Sequence, residues 1–593
     1  MINSKIAKLR DLMKKNNFGA YIVNSADPHL SEYVADRWQS RKFISGFTGS
    51  AGTIVITDSF AGLWTDGRYF IQAEEQLKHT EIKLFKMFQP GVPTYTDWIF
   101  DNMEEESVIG FDGRTLSVNQ VDKMKKIWDA KKVELDGSID LIDEIWKNRP
   151  PRPRSPLQDH PIEYSGKSRI QKINDIQKKM KSSKVDILII TALDEIAWTF
   201  NIRGSDVEYC PVSIAFAVIS SSCAHLFIDE EKIDQELLKK LGNDNISLRR
   251  YSEFYDQIKN YPKEYVIQLA PAKTNYKITS SIEDKYEIKK DNHLISGMKA
   301  KKNDVEISNL KVILDKDCIA LTRFLIWLKT NINNLTINEF EAAEKLLEFR
   351  RENPEFVEAS FESISAYDKN AAMMHYSANK TGSTNLKDKG FYLIDSGGQY
   401  KSGTTDITRT ITLGQVSDKQ CRDFTLVLKG VIDLSNARFL KGTTGANLDI
   451  LARIHLWKAG IDYKCGSGHG VGSFLNVHEG PQNFSQVLIN NPFEPGMVTT
   501  IEPGVYLENR YGIRTENMLL TVEDGTTNHG KWLKFETISF CPIDREAIVV
   551  DMLSDEQLKW INNYHQQVYA KISQRLNAEE NKVLKIMTAE LVR

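Results

Sequence analysis

The chain has little that would tie it to a membrane, a nucleic acid or an oxidising compartment. No run of its 593 residues is apolar for long enough to span a bilayer, and the opening MINSKIAKLRDLMKKNN holds no apolar core of a signal peptide. The formal charge is only -3, which argues against general nucleic-acid or membrane-surface binding. Six cysteines, Cys210, Cys223, Cys318, Cys421, Cys465 and Cys541, lie scattered without CxxC spacing and read as reduced thiols of a cytoplasmic protein. Low-complexity tracts are absent. What is present, 41% hydrophobic and 26% charged residues, is the composition of a soluble globular chain too long for one core.

Prolines are few but concentrated. Five of them fall in KNRPPRPRSPLQDHP, residues 147–161, which reads as an extended, semi-rigid linker. The segments on either side form a weak internal repeat. Before the linker a helix marked by Ile6, Leu9 and Met13 leads to a buried strand in FGAYIVNSADPH. After it a helix marked by Ile170, Ile173 and Ile176 leads to a strand in VDILIITALDEIAW. A second boundary falls near SGMKAKKNDVE, residues 296–306, followed by a long amphipathic helix. Another helix is expected to start at a capping box running from Thr336 to Glu339. Beyond about residue 360 strands alternate with glycine-rich turns, and SDEQLKWINNYHQQVYAKISQRL reads as a surface helix. The expected organisation is therefore an α/β domain over 1–155, a homologous α/β domain over 156–305, and an α+β domain over 306–593 with a C-terminal helical extension.

Five polar residues of this last domain form a chemical constellation. Asp395 and Asp406 flank the turn of LIDSGGQYKSGTTDITRT, and a turn centred on Tyr400 and Lys401 makes them direct cross-strand neighbours, where like charges repel. Glu502, in TTIEPGVYL, and Glu516, in YGIRTENMLL, fit a second hairpin centred on Asn509. His469 sits in GSGHGVGS, where alternating glycines permit close backbone approach. Each residue alone has an ordinary structural explanation; the joint arrangement does not. Four carboxylates facing one imidazole in a partly buried site call for divalent cations, and this oxygen-rich set suits Mn²⁺, with Zn²⁺, Co²⁺ or Fe²⁺ as alternatives. Two ions about 3.5–4 Å apart can share bridging carboxylates.

The order Asp395, Asp406, His469, Glu502, Glu516 resembles the ligand set of the pita-bread metallopeptidases, the family of methionine aminopeptidase, prolidase and aminopeptidase P. YLIDSGGQYKSGTTDITRT, GHGVGSFLNVHEGP and GIRTEN are similar to the long, cytosolic type of Xaa-Pro aminopeptidase. SGFTGSAGT, WTDGRYFIQA and TALDEIAWTFNIRGSDVEY are similar to that type's two N-terminal domains, so the resemblance covers essentially the whole chain. It implies two α/β domains of the creatinase N-terminal kind before a pita-bread catalytic domain. It also implies a metal-dependent aminopeptidase, cytoplasmic and dimeric, that hydrolyses the N-terminal bond of peptides with proline at position two, with no nucleic acid or membrane partner. Proline makes a tertiary amide without an N–H, a bond that general proteases read poorly.

The resemblance assigns roles residue by residue. Asp395 chelates one metal, His469 and Glu502 the other, and Asp406 and Glu516 bridge the two. A bridging hydroxide attacks the carbonyl before proline, with Glu502 as base. His375 lies beside the scissile bond and His478 contacts the carbonyl or tetrahedral intermediate. Arg514 is a candidate partner of the ligand carboxylates, and Thr408, on the same face of its strand as Asp406, can hydrogen-bond a ligand. One position departs from the pattern: where the family carries a histidine four residues before the histidine ligand, this chain has Cys465. The cysteine either packs as a small hydrophobe or adds a soft ligand that favours Zn²⁺; the first reading is preferred because five ligands already complete the set. The alternatives to an aminopeptidase are a catalytically impaired pita-bread binding protein and a prolidase. The intact ligand set argues against the former, and the chain length and FLNVHEGP against the latter.

Overall fold

The computed structural model describes residues 2–334 and 336–593. The chain forms two compact units, Met1–Ile162 with Lys167–Ser296, and Glu163–Gly166 with Gly297–Arg593.

The first unit holds two six-stranded mixed sheets of one design. In the first, Ala20–Asn24 runs antiparallel to Thr53–Thr57 on one side and parallel to Val108–Phe111 on the other. In the second, Ile187–Ile190 runs antiparallel to Phe216–Ser220 and parallel to Val266–Leu269. Outward from these, each sheet continues on one side with an antiparallel and then a parallel partner, and on the other side with a parallel edge strand. The internal repeat is thus a repeat of topology. One expectation fails locally: VDILIITALDEIAW is a strand only over Ile187–Ile190, and Leu193–Phe200 is a helix. Leu193, Ile196, Ala197 and Phe200 recur at helical spacing and are all buried, so period 3.6 takes over where the sheet ends.

The second unit begins with the helix Asp304–Asn331, capped by Asn303 in a capping box with Glu306, and the helix Glu339–Arg351. The second cap differs from its expected position: Asn338 and Glu341 form the box, and Glu339 is the first helical residue, with its carboxylate engaged elsewhere. Behind these helices lie two three-stranded sheets, a six-stranded antiparallel sheet and a two-stranded ribbon. The C-terminal helix Asp555–Ile572 is more than a surface helix, because Ile561, Tyr564, His565 and Val568 are buried and the Tyr564 hydroxyl accepts a hydrogen bond from Arg409.

A buried polar triad ties the two helices to the first hairpin. Arg350 Nε donates to Asp317 Oδ1 at 2.7 Å, Tyr400 OH donates to the same oxygen, and Arg350 Nη2 reaches the carbonyl of Ser396, next to Asp395. All three side chains are fully buried. Breaking such a pair from one side leaves an uncompensated charge in the core. Asp317→Ala is therefore expected to destabilise this unit by about 3–5 kcal/mol, read as a lowered urea midpoint, and Asp317→Ala with Arg350→Met to recover part of it. A wild-type midpoint for the single variant would show that the triad carries no net stability.

Candidate metal centre

Asp395 lies on the strand Phe391–Ser396, and Asp406 directly precedes the strand Ile407–Thr412. The two are not direct cross-strand partners. Asp395 pairs with Thr408, and the same register continues through Gln399↔Thr404 and Tyr400↔Gly403, so the turn centres on Lys401 and Ser402. The reason is burial: Tyr400 is fully buried with its hydroxyl on Asp317 and belongs inside the ladder, while Lys401 is exposed and takes the tip. Asp406, two residues before Thr408, is consequently a diagonal neighbour of Asp395.

The second hairpin centres on Asn509, which adopts φ 59 at its tip. Gly504–Leu507 pairs with Tyr511–Arg514, and Val498–Ile501 pairs with Asn517–Thr527 in the same register. Glu502 and Glu516 fall opposite each other in the gap between these two ladders. Freed from the ladder, the backbone at this point still finds partners: Glu502 N donates to Ser467 O at 2.8 Å and Glu516 N to Thr408 O at 3.1 Å. The two hairpins and the His469 segment are thereby stitched together.

His469 occupies the short strand Gly468–Gly470. A Cβ on Gly468 would fall 2.0 Å from the carbonyl oxygen of Thr500, so glycine is what admits this approach. The Nδ1 of His469 lies 3.0 Å from its neighbour's carbonyl at Gly470, an arrangement in which Nδ1 carries the proton and Nε2 faces the acids. Nε2 is 3.4 Å from Asp406 and 3.6 Å from Glu502.

The acids are held on one side and left open on the other. Arg514 donates to Asp395 Oδ2, to Thr408 Oγ1 at 3.1 Å and to Tyr506 OH at 2.8 Å. Thr408 in turn donates to Glu516 Oε2 at 2.7 Å. The second oxygens, Asp395 Oδ1 and Glu516 Oε1, are buried and have no hydrogen-bond partner among the described residues. Such oxygens are costly unless something compensates them. Burial raises the pKa of Asp395, Glu502 and Glu516, with the neighbouring carboxylates adding to the rise and Glu516 pushed well above the usual range. For His469, burial acts downward, but the hydrogen bond to Asp406 and the charge on Glu502 outweigh it and bring the pKa to about 9. Ligand atoms of Asp406, His469 and Glu516 all lie within 4.8 Å of one another. Two unpartnered carboxylate oxygens, an available imidazole nitrogen and a positive-charge deficit fit divalent cations with oxygen-rich ligation.

The remaining expected residues sit around this cluster in different ways. The rings of His478 and His469 meet edge-on with centroids 4.3 Å apart. His375 is half-buried in the loop after the 3-10 turn Asp368–Ala372. Cys465 packs against the hydrophobic core of this unit, its carbonyl accepting from Arg453 at 2.6 Å, and it is outside the Asp406–His469–Glu516 group. Sequence reasoning missed Tyr506, although the signal was available: Glu502, Gly504 and Tyr506 alternate on one strand opposite Gly512, Arg514 and Glu516 on the other. It also missed Glu479, beside His478, whose buried carboxylate accepts from both Lys299 and Lys302.

Two models of the Creatinase/Prolidase N-terminal domain match residues 5–145 and 148–306, that of metallopeptidase family M24 matches 308–523, and that of the C-terminal region of peptidase M24 matches 531–591. The chain is 38% identical over 595 residues to a probable Xaa-Pro aminopeptidase P of Paracoccidioides brasiliensis, with 96% of each chain covered. A counterpart in Talaromyces marneffei is also 38% identical, over 98% of this chain and 90% of that one. The crystal structure of X-prolyl aminopeptidase from Caenorhabditis elegans, described as a cytosolic enzyme with a di-nuclear active site, superposes with TM-score 0.95 at 35% identity and full coverage of both chains. The prolidase of Pyrococcus horikoshii shares the fold over 63% of this chain and 99% of its own, with TM-score 0.51 at 23% identity.

The electrostatics carry a consequence for stability. Asp395, Glu502, Glu516 and His469 all have folded-state pKa values raised above those of an unfolded chain, so at these four positions the metal-free protein binds more protons folded than unfolded. Their contribution is present below about pH 4.5 for the acids and 6.5 for the histidine, and is lost as pH rises toward the folded values. The stabilisation by Mn²⁺, which replaces those protons, should accordingly grow with pH. Melting temperatures in EDTA and in Mn²⁺ at pH 6 and pH 8 test this; a Mn²⁺ gain that is the same or smaller at pH 8 contradicts it.

Proposed function

We propose a reaction for this chain from one premise: it belongs to metallopeptidase family M24, with two Creatinase/Prolidase N-terminal domains ahead of the M24 domain. The reaction is hydrolysis of the N-terminal Xaa-Pro bond of peptides with proline at position two. The observation that carries it is the gathering of ligand atoms of Asp406, His469 and Glu516 within 4.8 Å of one another, beside oxygens of Asp395 and Glu516 that have no hydrogen-bond partner among the described residues. Full-length similarity to Xaa-Pro aminopeptidases P selects the substrate class. The matched segments also support reading 1–155, 156–305 and 306–593 as three domains.

Asp395, Asp406, His469, Glu502 and Glu516 would hold two divalent ions, Mn²⁺ in our reading. When bound, such a pair activates water as a nucleophile at neutral pH and polarises the scissile carbonyl. The protein's own part is positional and protonic. Glu502 faces His469 on the open side of the cluster and takes the proton of the attacking water at a carboxylate oxygen, then returns it to the proline nitrogen as the bond breaks. His478, set edge-on against His469, donates to the carbonyl oxygen as negative charge develops there. His375 orients the peptide beside the scissile bond. Arg514, anchored by Tyr506, opposes the rise that burial imposes on the Asp395 pKa and keeps Thr408 aimed at Glu516. We place the enzyme in the cytoplasm as a homodimer, in keeping with the relative described as cytosolic; sedimentation of the purified protein tests the dimer.

With Mn²⁺ added, a peptide beginning Arg-Pro-Pro should be cleaved after its first residue, and the same peptide with Ala at position two should not. Equal turnover of the two removes the proline assignment.

Cys465 adds a quantitative expectation. Its packing against the core and its place outside the ligand group support a passive replacement. If a histidine there would add one hydrogen bond to developing charge, its absence costs up to about 2.7–4 kcal/mol, or a hundredfold or more in rate, less whatever His375 and His478 recover. Cys465→His should therefore raise kcat, and Cys465→Ser should leave metal content unchanged. Loss of a metal ion in the serine variant, with no gain in the histidine variant, would make the thiolate a ligand instead.

A further inference from the structure

Glu339 is completely buried at the first position of the helix Glu339–Arg351. Its Oε1 accepts from the backbone N–H of Tyr367 at 2.7 Å and from Asn370 Nδ2 at 2.9 Å. Its Oε2 accepts from Tyr376 OH at 2.8 Å, from the backbone N–H of Thr384 at 2.8 Å and more distantly from Asn370 Nδ2 at 3.2 Å. Each of these donors is neutral, and both oxygens act only as acceptors. An ionised carboxylate meets that demand; a carboxamide, with one end a donor, does not. The helix N-terminus favours the negative charge in place of a cation.

These partners mark the beginning, middle and end of one segment, residues 367–384. It leaves the strand Ile364–Tyr367, whose Ile364 pairs with Asp395, turns through Asp368–Ala372, passes His375 and returns at Thr384. Asn370 closes the segment further by donating to Thr384 Oγ1 at 3.0 Å. The main chain of Glu339 joins in, its N–H donating to Thr384 O at 3.1 Å and its carbonyl accepting from Ser365. The turn is also seated on the second hairpin: a Cβ on Gly512 would fall 1.7 Å from the carbonyl oxygen of Ala371, and Gly512 is two residues before Arg514. One buried carboxylate thus closes a loop that rests on the strands carrying Asp395 and Arg514, with His375 adjacent to the anchored Tyr376.

We propose that Glu339 is a positioning residue for the hydrolysis: its carboxylate holds residues 367–384 as a closed loop and so fixes His375 beside the substrate. The role of His375 rests on the function proposed above; the closure of the loop does not.

The test uses the full-length protein loaded with Mn²⁺. Glu339→Gln keeps the size of the side chain but turns one acceptor into an NH₂ that faces N–H and O–H donors, whereas Glu339→Asp keeps the charge on a shorter reach. Amide hydrogen exchange read by mass spectrometry should be faster by about tenfold or more in peptides covering 368–384 of Glu339→Gln, with the rest of the second unit and the bound Mn²⁺ unchanged. On the Arg-Pro-Pro peptide, kcat should fall by about tenfold or more while KM moves by less than about threefold, and Glu339→Gln combined with His375→Ala should be no slower than His375→Ala alone. Glu339→Asp should lie between wild type and Glu339→Gln in both readouts, and it supplies the test if the glutamine variant does not fold. Unchanged exchange over 368–384 overturns the proposal whatever the activity. Wild-type turnover in the glutamine variant, or losses that multiply with those of His375→Ala, overturns the link to His375. Absence of hydrolysis by the wild type would sink the hydrolytic reading and that link with it, while the exchange data still decide the loop.

Discussion

Everything in the second unit is arranged around a charge problem: Asp395, Asp406, Glu502 and Glu516 crowd a single imidazole, with Arg514 as the guanidinium bound among them. Carboxylates brought together out of water repel and resist ionisation, and the raised pKa values of three of them express that cost. A fold could relieve the repulsion by adding more arginines. Here it does not, and the way each acid is held explains what that leaves available. Arg514 takes one oxygen of Asp395 and Thr408 takes one oxygen of Glu516, while the other oxygen of each has no partner among the described residues. A carboxylate held by one oxygen has a fixed orientation and an open lone pair. Further cations would neutralise the same charge that draws dications in.

Two hairpins are an economical way to build this crowding. Within a ladder, residues two apart share a face, so a pair of acids on opposite strands and an arginine two residues away project to the same side. In the second hairpin the register is unbroken from Val498↔Leu520 through Leu507↔Tyr511, yet Glu502 and Glu516 fall between the two ladders. That gap lets their backbone amides bond to Ser467 and Thr408, segments outside the hairpin, so the same residues proposed to hold metal also join the three pieces of the site.

Much of this was legible in the sequence, and the errors are informative. Both hairpins, the five candidate ligands and the repeated α/β design follow from spacing and alternation. The first turn was misplaced by one residue because the motif does not announce that Tyr400 is buried against Asp317, a contact across 83 residues of sequence. The misplacement did little harm, since moving a turn by one residue moves the pairing by two and leaves each side chain on its face. The capping box was misplaced for a comparable reason. Thr336 and Glu339 have the right spacing, but the carboxylate of Glu339 is committed to the 367–384 loop, and Asn338 with Glu341 caps the helix instead. Local patterns identified elements; they did not reveal which polar groups had distant partners. VDILIITALDEIAW shows the remaining ambiguity, an apolar run in which a strand and a buried helix follow one another without a break in composition.

The two buried glutamates near the sequence-predicted histidines, Glu479 and Glu339, differ in how they are held. Glu479, next to His478, is bound by two buried lysines, and this trio carries a net positive charge. Glu339 is bound by neutral donors and leaves a net negative charge. A lysine or arginine on Glu339 could have fixed the 367–384 loop equally well in mechanical terms. A cation there would cancel the charge of Glu339, whereas backbone N–H groups, an amide and a phenol satisfy both of its oxygens without doing so, and the loop is left dependent on a single buried carboxylate.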